Sequence, residues 1–144
     1  MGNSTSARCI FFFRKYIIRI LLGVSPRCSC IDLFKKLDIL TFPCLYLFSL
    51  MLFILNNFNN FHTNSCVREI NTRYKKQLHR TVVNLSFYQI GISYSGIRIF
   101  NNLTSIISDL KNDKSRFRSA LRSCLVLHSF YSIQEILEYI KNTN

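Results

Sequence analysis

Residues 39–55 form a stretch of 17 residues without a charged side chain, and no other part of the sequence constrains the fold as strongly. As a helix, this stretch would be about 26 Å long, which is near the lower limit for crossing a bilayer. Two interpretations are open: a helix buried in a protein core, or a short membrane-spanning helix. Pro43 lies near the start of the stretch, where a helix tolerates proline.

Apolar residues elsewhere recur mainly at the three- and four-residue spacing of amphipathic helices. The four sets are Leu33, Phe34, Leu37 and Leu40; Leu103, Ile106, Ile107 and Leu110; Phe117, Ala120, Leu121, Cys124 and Leu125; and Ile133, Ile136, Leu137 and Ile140. Gly23 predicts a helix end. Ser29 with Asp32, and Ser132 with Glu135, have the spacing of a capping box and predict helix starts.

Residues 82–94 follow a different pattern. Apolar residues alternate with others at Val83, Leu85 and Phe87, and again at Ile90, Ile92 and Tyr94. Alternation of this kind indicates β-strands. The sequence therefore predicts a mainly α protein, with a polar N-terminal tail at residues 1–9 and a single small helical domain at residues 10–144. A short β element is expected near residues 82–94.

The charge of the chain favours phosphate-rich partners. With 19 basic and 7 acidic residues, the formal net charge is +12. Such an excess attracts the backbone of RNA or DNA, or an anionic membrane surface. The hydrophobic fraction of 49% is too high for a disordered chain. No glycine-rich phosphate loop is present, and the sequence indicates neither a small-molecule substrate nor a cofactor; it does not predict the oligomeric state.

The basic residues concentrate in two clusters. The first contains Arg73, Lys75, Lys76 and Arg80 next to Tyr74, and the second contains Lys111, Lys114, Arg116, Arg118 and Arg122. Lys and Arg neutralise backbone phosphates without reading sequence, and a tyrosine can stack on an unpaired base. The clusters are therefore candidate nucleic-acid contacts; the alternative is a solvated, charged helix face.

Several motifs resemble the end of the polymerase of jockey-type non-LTR retrotransposons. Asn71-Thr72-Arg73 followed by Lys75 resembles the family's NTR-x-K block, and residues 94–103 resemble its Y-x-G-I-K-I-F-N-x-L block. Residues 117–125 and 128–132 are similar to the FK-x-x-L helix and the HSFYS motif that follow. With weaker motifs upstream, the likeness covers about residues 14–139 in one register.

The resemblance implies a fragment of a reverse transcriptase that lies downstream of the catalytic palm. In these polymerases, paired carboxylates hold the two metal ions that stabilise the transferring phosphate. This chain has no Asp-Asp pair; its aspartates are Asp32, Asp38, Asp109 and Asp113. We therefore expect no catalytic residues, at most residual non-specific nucleic-acid binding, and a nuclear location by resemblance.

The cysteines and histidines make weaker candidates for chemistry. Cys28 and Cys30 with His62 and Cys66 could supply four metal ligands, but the two pairs are far apart in sequence for a structural zinc site. Cys124 and His128 could approach each other on one helix, without an evident third group. We expect no metal site, and buried free thiols rather than disulfides.

The alternative function is that of a small basic membrane-associated protein. Met1-Gly2 with Ser6 matches the N-myristoylation pattern. One acyl chain binds membranes only marginally, and Cys9 could carry a second one. This alternative would place Gly2 and Cys9 as lipidation sites, or residues 39–55 as a single span, and would locate the protein at a membrane.

Overall fold

The computed structural model of the chain describes residues 5–68, 76–80, 92–103, 107 and 109–143. The helices that we name in this part of the chain are α1 (Thr5–Leu21), α2 (Ile31–Lys36), α3 (Phe42–Asn56), α4 (Asn64–Arg68), α5 (Ile92–Asn101), α6 (Lys114–His128) and α7 (Ile133–Thr143). Short 3-10 turns lie at Phe58–Asn60 and Asp109–Asn112. The prediction of a mainly α protein is confirmed.

The predicted β element is wrong where it can be compared. Ile92 and Tyr94 belong to the first turns of α5, and residues 82–91 lie outside the described residues. The residues that the structure describes contain no β-strand, only an isolated antiparallel bridge between Thr63 and Leu78. Around this bridge the His79 N–H donates to the His62 carbonyl over 2.7 Å.

Helix α1 begins at Thr5, so residues 5–9 of the predicted polar tail are helical. Its last residue is Leu21, and the predicted stop at Gly23 follows two residues later. Gly23 has a φ of +60°, a conformation that glycine adopts without steric strain. The Gly23 N–H donates to the Ile20 carbonyl over 3.1 Å, and the Val24 N–H donates to the Arg19 carbonyl over 3.1 Å. This pair of bonds is a Schellman motif, which satisfies the last carbonyls of the helix.

Of the two predicted helix starts, the one at α2 is wrong by one residue and the one at α7 is confirmed. Helix α2 begins one residue later than the Ser29–Asp32 spacing predicts, because Cys30 is the N-cap and no side chain caps the helix. At α7, the Glu135 N–H donates to Ser132 Oγ over 3.1 Å. The Glu135 carboxylate accepts from the Tyr131 N–H over 2.8 Å. Both side chains of this predicted capping box therefore satisfy free N–H groups.

Helix α3 is the central helix of the fold. Its buried side chains are Cys44, Leu47, Phe48, Leu50, Met51, Ile54 and Leu55. A helix that is apolar on nearly all sides must be covered, and here α5, α6 and α7 pack around it. Most of the uncharged stretch at 39–55 is thus a 15-residue core helix with Pro43 in its first turn. Among the described residues, no helix combines the length and the apolar character that a bilayer crossing requires.

Two separate hydrophobic clusters hold the helices together. The main core surrounds α3 and includes Phe100 from α5, Phe117 and Leu121 from α6, and Ile136 from α7. The small cluster contains Ile18 from α1 with Cys30 and Phe34 at α2. Burial of Leu103, Ile107, Phe117, Leu121, Leu125, Ile136 and Ile140 agrees with the apolar faces predicted from sequence.

Candidate nucleic-acid interface

The second predicted basic cluster forms a ridge on α6. Asp113 caps this helix, since its carboxylate accepts from the N–H groups of Ser115 and Arg116, both over 3.1 Å. Lys114, Arg118 and Arg122 then follow at four-residue intervals, so they lie along one side of the helix. All three side chains are exposed. We call Lys111, Lys114, Arg118 and Arg122 the basic ridge.

Carboxylates neutralise some members of the predicted cluster and leave others free. Arg122 forms an ion pair with Asp38 over 2.8 Å and also donates to the Asp38 backbone carbonyl over 2.9 Å. Arg116 lies 3.4 Å from the Asp113 carboxylate and is on another side of α6. Within the described part of the chain, Lys111, Lys114 and Arg118 have no carboxylate partner. Their charges are therefore available to an external anion.

Aromatic rings position two of these free charges. The Arg118 guanidinium lies 6.0 Å from the centre of the Phe48 ring, and Lys111 Nζ lies 5.8 Å from the centre of the Phe58 ring. Long basic side chains commonly lay their apolar stems on such surfaces while their charged ends stay in water. The rings therefore support the ridge on the edge of the main core.

Only part of the first basic cluster can be located. Arg73, Tyr74 and Lys75 lie outside the described residues, whereas Lys76 and Arg80 are exposed. Asn101 fixes the segment between them, because its side-chain amide donates to the Leu78 carbonyl over 2.8 Å. The Asn101 side-chain oxygen accepts from the Leu78 N–H over 3.0 Å.

The contacts of the two clusters involve different elements. Arg80 lies 5.2 Å from the ring centre of Tyr94 on α5, whereas the ridge lies on α6. The structure thus brings Lys114, Arg118 and Arg122 together on one helix and places Arg80 beside a different ring. Tyr94 and the exposed Arg98 on α5 were not predicted as contacts.

The four candidate metal ligands are not assembled. Cys30 is buried in the small cluster, Cys28 and His62 are exposed, and Cys66 lies on α4. Nowhere in residues 5–68, 76–80, 92–103 and 109–143 do three His, Cys, Asp or Glu side chains gather as metal ligands would. All six cysteines are free thiols, and the expected burial holds for Cys30 and Cys44 but not for Cys9, Cys28 and Cys66, which are exposed.

The remaining thiols and His128 have structural surroundings. Burial raises the pKa of the Cys44 thiol and that of the Cys124 thiol. Thr63 Oγ1 donates to Cys66 Sγ over 3.3 Å and lowers the pKa of that thiol. The His128 ring packs against the rings of Phe130 and Tyr139, whose centroids lie 5.3 and 4.3 Å from its own.

Only one of the two predicted lipidation sites, Cys9, lies among the described residues. Gly2 lies outside the described residues, and Cys9 is exposed on α1.

Chemically, the described basic side chains can neutralise phosphates but offer little to read a base sequence. Base reading relies on bidentate pairs with base edges, whereas flexible side chains in a row on an exposed helix suit a repeating anionic backbone. The site is therefore an electrostatic surface rather than a shaped pocket.

Comparisons with protein-family models, with curated proteins and with solved structures find no match to this chain.

Proposed function

We propose that this chain is a non-catalytic fragment of a reverse transcriptase of the jockey type, and that it retains non-specific binding to nucleic-acid backbone. The observation that carries the binding proposal is the basic ridge. Lys111, Lys114 and Arg118 have no carboxylate partner among the described residues, and the latter two are exposed on one side of α6. Unpaired cations in a row release counterions when phosphates replace them.

The spacing of the ridge is compatible with a strand backbone. Residues four apart on a helix are separated by about 6 Å along its axis, and Lys and Arg side chains are long enough to reach phosphates on either side. The Arg80 and Tyr94 pair supports binding of single strands, because an aromatic ring beside a guanidinium can stack on a base. We therefore expect the chain to bind single-stranded RNA or DNA without selecting a particular sequence.

The polymerase part of the proposal is supported by the sequence motifs. Asn101 belongs to the block at residues 94–103 that resembles the retrotransposon polymerases, and it holds the segment around Leu78 through two hydrogen bonds. A residue of the block thus has a definite structural role. The lack of an Asp-Asp pair in the sequence favours a binding rather than a catalytic role, because two-metal catalysis needs such carboxylates.

The test is a salt titration of RNA binding. The purified chain would be titrated into a short labelled oligo-uridine, and the dissociation constant measured by fluorescence anisotropy at several salt concentrations. In the variant Lys111→Ala/Lys114→Ala/Arg118→Ala, the slope of log affinity against log salt should fall by about 2, since each lost phosphate contact on a single strand removes about 0.7.

The matched control is Arg27→Ala/Lys35→Ala/Lys36→Ala. It removes the same net charge from exposed positions at and before α2, so a general charge effect would weaken both variants equally. A ridge variant with the slope and affinity of the control would contradict the proposed interface. Unfolding curves of both variants should stay close to that of the unmodified chain, because five of the six substituted side chains are exposed and Lys111 is half-buried.

A further inference from the structure

Helix α1 has one long side that no described residue of the chain covers. The exposed apolar side chains on this side, which we call the outer face, are Ile10, Phe12, Phe13, Tyr16, Ile17, Ile20 and Leu21. Phe12, Phe13 and Leu21 are 66%, 65% and 68% exposed. Proteins that remain free in water rarely expose so many neighbouring large apolar groups, so the outer face requires a partner.

The outer face is continuous and has basic borders. At about 100° per residue, its side chains cover about half of the helix circumference, with the exposed Cys9 among them. Arg8 and Arg19 lie at one border of this arc, and Arg14 lies at the other. Helix α1 contains no acidic residue. This combination of a wide apolar face and cationic borders is typical of helices that lie in the surface of a membrane.

The opposite side of α1 is already attached to the protein. Ile18 is buried against Cys30 and Phe34, and Phe11 meets the Tyr131 ring edge to face at 5.4 Å. The Lys15 ammonium lies 4.2 Å from the centres of both rings. These contacts hold α1 so that the outer face points away from the fold. Binding through that face would therefore need no rearrangement of the core.

The basic residues of α1 determine which partner can cover the outer face. A second copy of the chain would bring the three border arginines (Arg8, Arg14 and Arg19) against the same three, and each chain carries a net charge of +12. Such like charges repel at an interface. An anionic bilayer instead offers apolar acyl chains to the outer face and negative headgroups to its borders. We propose that α1 lies in the plane of an anionic membrane surface, with its outer face inserted between the lipids.

This inference is independent of the proposed nucleic-acid binding, because it uses another helix and none of the residues of the basic ridge. The test is co-sedimentation of the full chain with vesicles of phosphatidylcholine, with and without phosphatidylserine. The protein would come from a bacterial host, where N-myristoylation does not take place. We expect binding to the anionic vesicles and much weaker binding to the neutral ones.

Two charge-matched variants identify the surface. Phe13→Glu/Ile17→Glu alters the outer face, whereas Val67→Glu/Leu127→Glu makes the same chemical change at exposed positions on α4 and α6. The first variant should bind anionic vesicles at least about tenfold more weakly, because two buried apolar side chains are lost. The second should bind like the unmodified chain, and circular dichroism should show native helix content in both.

Three results would overturn the inference. The first is equal vesicle binding by the two variants, which would show adsorption by net charge alone. The second is absence of vesicle binding by a folded, unmodified chain. The third is a dimer in sedimentation equilibrium that Phe13→Glu/Ile17→Glu dissociates and that vesicles do not bind, since the outer face would then be an interface between two copies.

Discussion

Gly96 on α5 lies directly against Ile54 on α3: a β-carbon at Gly96 would stand 2.6 Å from Ile54 Cδ1. The same β-carbon would lie 3.1 Å from Leu50 Cδ1. Gly96, Leu50 and Ile54 are all buried, so these side chains have little room to move. The absence of a side chain at Gly96 thus sets how closely α5 approaches the central helix.

We expect Gly96→Ala to destabilise the protein by about 1–2 kcal/mol, although alanine favours helices more than glycine does. Ile54→Val removes the Cδ1 atom that the new methyl would meet, and by itself should lower stability by about 1 kcal/mol. The double variant should be more stable than the sum of the two single effects predicts. Urea unfolding of all four proteins would measure this coupling, and strict additivity would contradict the close contact.

Thr41 links the start of α3 to the loop before α7. Its side chain is fully buried, and Oγ1 donates a hydrogen bond to the Phe130 carbonyl. Thr41→Val keeps the shape of the side chain but removes the donor, so we expect a loss of about 1–3 kcal/mol in the free energy of unfolding. Thr41→Ser keeps the hydroxyl and should lose less than the valine variant. Chemical denaturation would give both values, and the reverse order would exclude an important hydrogen bond here.

The thiols should react at very different rates. Cys66 is exposed, and the hydrogen bond from Thr63 lowers the pKa of its thiol from the ordinary value of 9.0. A lowered pKa increases the thiolate fraction at neutral pH. Cys44 is buried with a raised pKa and should react only when the fold opens.

Alkylation by iodoacetamide, followed by peptide mass spectrometry over a range of pH, would measure these rates. The rate at Cys66 should rise to half its maximum below pH 9, and Thr63→Val should move this midpoint upward because the donor is lost. Equal midpoints in the two proteins would contradict the role of Thr63. Cys44, treated in the same samples, serves as the slow internal control.

Tyr131 should make stability depend on alkaline pH. Burial raises the pKa of its phenol from 10.0 to about 12. Its contribution is fully present below pH 10, where both the folded and the unfolded phenol are protonated. Between pH 10 and about 12 the unfolded phenol ionises first, so stability falls with rising pH.

Tyr131→Phe removes this contribution and keeps the ring that contacts Phe11 and Lys15. The buried Tyr131 hydroxyl has no hydrogen-bond partner among the described residues, so we expect the variant to be as stable as the unmodified protein at neutral pH, or up to about 1 kcal/mol more stable. Above pH 10 the difference should grow in favour of phenylalanine. Denaturation at neutral and alkaline pH would show whether the difference in unfolding free energy between the two proteins widens. A constant difference would argue against a raised pKa for the Tyr131 phenol.

Features that depend on a few neighbouring residues could be predicted from the sequence. The stop at Gly23 and the capping box of Ser132 and Glu135 involve contacts within one or two turns, so local spacing was sufficient. The buried faces of α6 and α7 follow from helical periodicity. The start of α2 was misplaced because Cys30 is fixed by packing against Ile18, a contact between distant positions that Ser29 and Asp32 do not reveal.

The error at Ile92 and Tyr94 has a similar cause. Apolar residues two apart suggested strands at these positions. In the structure Gly96 lies inside α5 because α3 needs the space that a side chain would fill. The candidate site was predicted in part: the spacing of Lys114, Arg118 and Arg122 placed them on one helix, whereas their partners, such as Asp38 for Arg122, come from remote parts of the chain.

The separation of the two hydrophobic clusters implies that the protein does not open all at once. Ile18, Cys30 and Phe34 form the small cluster, whose loss would free α1 while the core around α3 stays closed. Partial opening of this kind needs less free energy than complete unfolding. Amide protons of α1 should therefore exchange with solvent deuterium long before those of α3, which become accessible only when the whole molecule unfolds.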